Sequence, residues 1–182
     1  MLGLVAAAVE FLHRQQPPIV HGDLCRANLT EVVSRSAVLA GVGLSTLGTV
    51  ALTPTRFTAP EMLSDDGASV LNRPTVASDI YALGVLAYEL VYGARARDPT
   101  DRMAAGAPPG DLAEVREAAK NDSLLADVIS RCWLQPEARP SITELASVLE
   151  MEAAHPEGNA GMLRSFFELG ELWTLYIMRA SC

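Results

Sequence analysis

The chain has 182 residues, enough for one domain with a buried core. Nearly half of them (49%) are apolar but only 5% are aromatic, so the core is expected to be aliphatic. A net charge of −8 argues against a broad electrostatic footprint for nucleic acid or an anionic membrane.

Cys25, Cys132 and Cys182 are odd in number, far apart and without a C-x-x-C pair, so neither a zinc site nor a disulfide framework is readable. Three reduced thiols and no visible targeting signal point to the cytoplasm or nucleus. His13, His21 and His155 show no metal-ligand spacing.

In chain order, "MLGLVAAAVEFLH" lacks the basic start of a signal peptide, and Glu10 closes it too early for a membrane span. Leu4, Val5, Ala8, Phe11 and Leu12 recur at helical spacing, which predicts a helix buried on that face. "QQPP" ends it. "IVH" and "SAVLAGVGL" predict brief strands, and Leu44 to Arg56 an exposed loop. "VASDIYALGVLAYELVYG" is apolar on nearly every side, the mark of a central helix, with Ser78 as its expected N-cap. "RARDPTDRMAAGAPPGD" is a loop, and "DLAEVREAAKND" and "SLLADVISRCWL" are further helices. "SITELASVLEME" opens with Ser141 and carries Glu144 at capping-box spacing. "HPEGNAG" is a linker before a last apolar helix, "MLRSFFELGELWTLYIM", which Gly170 interrupts.

Five segments in fixed order carry a resemblance. "HGDLCRAN" resembles the catalytic loop of protein kinases, with His21, Asp23 and Asn28 at the motif positions. "AVLAGVGLS" resembles the A-D-F-G-L-S segment, "TAPEM" the motif closing the activation segment, and "SDIYALGVLAYEL" the central helix that begins at an aspartate. "CWLQPEARPSITEL" fits the C-x-x-x-P-x-x-R-P pattern of tyrosine kinases and tyrosine-kinase-like kinases. The resemblance implies a protein kinase-like fold, C-lobe only, mainly α with a few short strands. It covers residues 1–150 and leaves 151–182 as a C-terminal extension with an apolar helix.

The resemblance assigns roles. Asp23 takes the position of the family's proton acceptor, and Asn28 that of a magnesium ligand. Glu61 and Arg139 take the places of a buried ion pair, Asp79 that of the carboxylate capping the catalytic loop, and His21 a structural place beside it. ATP and magnesium are implied only in this way. Departures from the pattern are equally specific. Gly41 replaces the metal-binding aspartate of D-F-G, Cys25 replaces the catalytic-loop lysine, and Gly22 the usual arginine. The residues before His21 are filled by one helix and a turn, so the small lobe, with its glycine-rich loop and lysine, is expected to be absent. Phosphoryl transfer depends on positioning and charge, and each lost electrostatic group costs about 10²–10³ in rate. The expectation is a truncated, catalytically impaired kinase-like domain. Asp23 is then a loop carboxylate hydrogen-bonded to Asn28 or the backbone, and the adenine pocket keeps only its floor near Leu29. Cys25 beside Arg26 raises the alternative of an activated thiol. Thr46, Thr49, Thr53 and Thr55 are exposed-loop hydroxyls open to phosphorylation.

The expected role is binding or regulation of a protein partner, through the face left open by the small lobe or through the 162–178 helix, with no nucleic acid and no membrane. The alternative is an ATP-dependent protein kinase whose small lobe is encoded upstream of Met1. A third reading is a decayed relative without a role.

Overall fold

The computed structural model describes residues 2–32, 36–42, 55–64, 70, 72–92 and 123–154. Residues 44–54 of the expected Leu44 to Arg56 loop, the expected loop at 95–111, the 111–122 helix, the linker and the 162–178 helix lie outside the described residues. The chain divides into two compact units, Met1–Glu150 and Met151–Cys182, and the buried clusters of the described residues lie within the first.

Helix α1, Leu2–His13, buries Val5, Ala6 and Val9. The face expected from spacing is therefore turned: Leu4 is 45% exposed and Phe11 67%. The helix has only Glu10 and His13 as polar residues, so its pattern runs almost all round and does not choose a side. The small Ala6 and the two valines choose it by fitting against the core. The chain then turns back, Ile19 N–H donating to Leu12 O at 3.0 Å.

"IVH" forms no strand. The amides of His21 and Gly22, which a strand would give to a neighbour, go to a side-chain carboxylate instead. Among the described residues the strands are β1, Leu29–Val32, which the sequence reading missed, and β2, Ser36–Leu39. They pair antiparallel, with Leu29 opposite Leu39 and Val32 opposite Ser36. The run "SAVLAGVGL" stays a strand only to Leu39, because Gly41 has φ +77°, outside the extended region.

Helix α2, Val76–Tyr92, is buried from Ser78 to Glu89. Its N-cap is Thr75 and not Ser78. Ser78 N–H donates to Thr75 Oγ1 at 3.1 Å, while Thr75 N–H donates back to Ser78 Oγ at 2.8 Å. This is the reciprocal geometry of a capping box with serine in the third helical position. The sequence reading places the cap one turn late because Ser78 is itself a good capping residue.

Helix α3 spans Ser123–Cys132 and helix α4 Ile142–Ala154. The expected capping box of α4 is present: Ser141 N–H donates to Glu144 Oε2 at 2.8 Å, and Glu144 N–H to Ser141 Oγ at 3.3 Å. The Ser141 amide and hydroxyl, both donating to Oε2 at 2.8 Å, hold the pKa of the exposed Glu144 carboxyl below its ordinary value. Leu24, Val5, Val9, Leu83, Leu86 and Leu145 are fully buried in one cluster, so α1, α2, α4 and the 21–28 loop share a core. Aliphatic side chains dominate it, in line with the composition.

Gly84 sets how closely α2 approaches α3. A Cβ there would stand 2.5 Å from Cys132 Cβ and 2.9 Å from Trp133 Nε1. Gly84→Ala is expected to destabilise the fold by about 1–3 kcal/mol through overpacking. Its gain in helix propensity, about 1 kcal/mol, offsets only part of the clash. Urea titration against wild type checks this, and an unchanged midpoint would refute the close contact.

No helix among the described residues is long and apolar enough to cross a membrane.

Candidate functional site

The loop from His21 to Asn28 is held from two directions. Leu24, 1% exposed, anchors its middle in the core, so its neighbours Asp23 and Cys25 are set at the surface side. Beneath it, Asp79 in the first turn of α2 is 1% exposed and accepts three hydrogen bonds. His21 N–H donates to Oδ2 at 2.8 Å and Gly22 N–H to Oδ1 at 2.9 Å. The third comes from the ring Nε2 of His13, at the end of α1, at 2.8 Å. A buried carboxylate must have such partners, and here three chain segments meet on one side chain. Sequence reasoning missed His13, whose only signal was a lone polar residue ending an apolar helix. Gly22, with φ +76°, turns the loop where a side chain would be disfavoured.

Asp23 is exposed at the loop surface. Asn28 Nδ2 donates one hydrogen to Asp23 O and one to Asp23 Oδ2, each at 2.8 Å. Two acceptors require the amide nitrogen on that side, so Oδ1 faces the other way. Gly41 packs against this amide: a Cβ on it would meet Nδ2 at 3.0 Å, Cγ at 3.1 Å and Oδ1 at 3.2 Å. The structure therefore brings Asp23, Asn28 and Gly41 together. Among the described residues, no group of three or more His, Cys, Asp or Glu could hold a metal ion.

His21 is fully buried. Its Nε2–H donates to Ala40 O at 3.0 Å, and its Nδ1 accepts from Asp23 N–H at 3.2 Å, which defines a neutral ring. Burial lowers its pKa from 6.5, against the opposing pull of Asp79. Between the lowered value and 6.5, the unfolded chain binds a proton that the folded chain refuses. Stability from this group is thus complete above pH 6.5 and declines as pH falls towards the folded value. The expected result is a melting temperature that drops on acidification below 6.5, with a shallower dependence in His21→Gln. Equal slopes in the two proteins would refute it.

Cys25 is not activated by its neighbour Arg26. Burial raises its pKa, and the Asp23 and Glu89 carboxylates add to the rise against two backbone donors. The thiol therefore stays protonated at neutral pH. Cys132, buried in the core, is pushed up to about 12.

Below the loop, Glu61 and Arg139 form a two-pronged pair: Nη1 donates to Oε1 at 2.5 Å and Nη2 to Oε2 at 2.8 Å. Arg139, 3% exposed in its side chain, also donates to Ala77 O and Leu134 O at 2.9 Å each. Its guanidinium lies 5.2 Å from the centre of the Tyr81 ring. A second pair was not foreseen: Arg56 Nη1 donates to Glu89 Oε1 at 2.8 Å, with Glu89 nearly buried in α2. A charged residue deep in an otherwise apolar helix was the available signal, since such a residue calls for a partner. Of the four threonines, only Thr55 is described. It forms a turn with Thr58, donating its N–H to Thr58 Oγ1 at 2.9 Å, just before the Ala59–Glu61 segment.

Comparison with known proteins fits this arrangement. Residues 1–149 match the family model described as protein tyrosine and serine/threonine kinase. The chain is 30% identical over 166 residues to "Salt tolerance receptor-like cytoplasmic kinase 1" of Oryza sativa subsp. japonica, covering 80% of this chain and 46% of that kinase. It is 29% identical to "Serine/threonine-protein kinase CTR1" of Arabidopsis thaliana, over 85% of this chain and 20% of the relative. It is 28% identical to "Receptor-interacting serine/threonine-protein kinase 3" of Rattus norvegicus, over 81% and 34%. The chain thus spans less than half the length of each of these relatives.

Proposed function

Because the chain belongs to the protein tyrosine and serine/threonine kinase family, we propose that residues 1–150 act as the large-lobe part of a kinase domain that works by binding and not by phosphoryl transfer. The observation that carries this reading is Gly41. It stands beside Asn28 in the kinase-like loop, where the family needs a carboxylate to hold magnesium. Cys25 adds to it: a neutral thiol occupies the position of a lysine that would neutralise the transferring phosphate.

The family uses ATP and magnesium, and the residues here fit the metal poorly. Magnesium prefers an octahedral oxygen set with one or two carboxylates. Asn28 offers one neutral oxygen, and the Asp23 carboxylate already accepts a hydrogen bond from Asn28. Asp23 and Asn28 serve to keep the loop in shape, with Asp79, His21, Glu61 and Arg139 as its structural supports. The partner is a protein, met in the cytoplasm or nucleus, through a face that a small lobe would cover or through the apolar 162–178 segment.

A second reading, ATP-dependent phosphoryl transfer to protein hydroxyls, is favoured by one observation: Asp23 is exposed on the loop at the proton-acceptor position. It requires a glycine-rich loop and lysine from outside residues 1–182. The two readings part on one experiment. The chain is incubated with labelled ATP, magnesium and a generic protein substrate, beside Asp23→Ala, and melting is followed with ATP with and without magnesium. The binding reading expects a cooperative melt, no magnesium-dependent rise and no transfer above the variant. Transfer that Asp23→Ala abolishes would overturn it.

A further inference from the structure

We propose that His21 and the Gly22–Asp23 peptide form a proton-driven switch: when the ring takes a second proton at Nδ1, that peptide turns over and presents the Gly22 carbonyl to the ring in place of the Asp23 N–H. The switch goes beyond the proposed function and does not depend on it.

The two ring nitrogens have different roles. Nε2–H donates to Ala40 O at 3.0 Å, so Nδ1 is the bare nitrogen, and it accepts from Asp23 N–H at 3.2 Å. A proton from solvent placed on Nδ1 sets one N–H against another at that distance. The ring is fully buried, so the new donor needs an acceptor from the protein.

The surroundings leave one peptide to move. The amides of His21 and Gly22 are held by Asp79 at 2.8 and 2.9 Å, and Leu24 is locked in the core at 1% exposure. Between these fixed points lies the Gly22–Asp23 peptide. Reversing it changes chiefly ψ of Gly22 and φ of Asp23. Gly22, at φ +76°, has no Cβ to oppose the change, and aspartate tolerates the left-handed region better than most residues. The Asn28 amide, bonded to Asp23 O and Oδ2, holds Asp23 from its far side while the peptide turns. Asp23 is exposed, so its freed N–H meets water.

The groups around the ring set when this happens. Burial, the largest influence, disfavours the charged ring, and the His13 ring at the end of α1 also opposes it. Asp79 on α2, the Ala40 carbonyl just after β2 and Asp23 on the loop favour it. The balance lowers the pKa from 6.5, so the neutral ring is the form at neutral pH and the peptide turns on acidification.

The test follows the full isotope-labelled chain by NMR from about pH 7.5 to about pH 5. The Nδ1 resonance of His21 reports the proton, the Gly22 carbonyl carbon reports the new bond, and hydrogen exchange at Asp23 reports the freed N–H. All three are expected to change with one midpoint below 6.5. Protection of the Asp23 amide, corrected for its intrinsic rate, is expected to fall about tenfold or more. The amide of Leu86, fully buried in α2, is expected to keep its protection. A ring that titrates without change at the Gly22 carbonyl or the Asp23 amide overturns the proposal. So does a ring that stays neutral until Leu86 loses protection, because protonation then only accompanies unfolding. A change at Asp23 that follows the titration of His13 in place of His21 overturns it too.

His21→Gln is expected to show no fall in Asp23 protection over this range, and a fall equal to wild type overturns the proposal. Should that variant fail to fold, the common midpoint in the wild-type chain decides alone. Phosphoryl transfer by the chain would overturn the proposed function and leave the switch standing.

Discussion

Replacing Asp79 by alanine is expected to lower the stability of the fold by about 3–6 kcal/mol, since three donors lose their acceptor, a stranded buried donor costs about 1–3 kcal/mol, and two of the three bonds are only part-buried. The donors are the His21 amide, the Gly22 amide and the His13 ring, and the carboxylate they share is 1% exposed. The loss is local as well as global. Hydrogen exchange at the amides of His21 and Gly22 is expected to accelerate more than exchange in α4, because the loop between His21 and Asn28 hangs from these bonds. Asp79→Asn is expected to fall between wild type and alanine: it keeps the shape and one acceptor oxygen but turns an NH2 group towards other donors. An unfolding free energy for Asp79→Ala, from urea titration, within about 1 kcal/mol of wild type would show that the loop is held by something else.

The second large effect is expected at Glu61. Glu61→Ala leaves the Arg139 guanidinium, 3% exposed, with only two backbone carbonyls and a ring face among the described residues, and such a stranded charge costs about 3–5 kcal/mol. Arg139→Met is expected to cost less. It leaves the stranded charge on Glu61, whose side chain is 28% exposed and keeps some contact with water. The double variant Glu61→Ala, Arg139→Met is expected to be more stable than Glu61→Ala alone, because removing both charges removes the desolvation penalty with the pair. Additive losses in this cycle would mean that the two residues do not depend on each other.

These two sites show where sequence reasoning works and where it stops. The Ser141–Glu144 cap was legible because its partners are three residues apart and the helix repeat alone brings them together. The burial of α2 was legible because no side of it offers a polar face to water. The Thr75 cap was misplaced by one turn, since serine caps helices at least as well as threonine and only the mutual bonds of Thr75 and Ser78 separate them. The buried face of α1 was not legible, because an alanine-, valine- and leucine-rich helix fits a core on more than one side.

For the candidate site, the sequence by itself determined which groups are available: a carboxylate at Asp23, an amide at Asn28, no side chain at Gly41 and a thiol at Cys25. Composition at a position is a local fact, and so is the spacing of three or four residues that makes a helix turn. Only the tertiary structure decided that His13 reaches Asp79 across 66 residues of sequence, and Arg139 reaches Glu61 across 78. Only it set Gly41 against the Asn28 amide and drew Arg56 to Glu89. Such contacts follow from how the helices share one core, and the energy of a buried charge depends on the partner that packing brings to it.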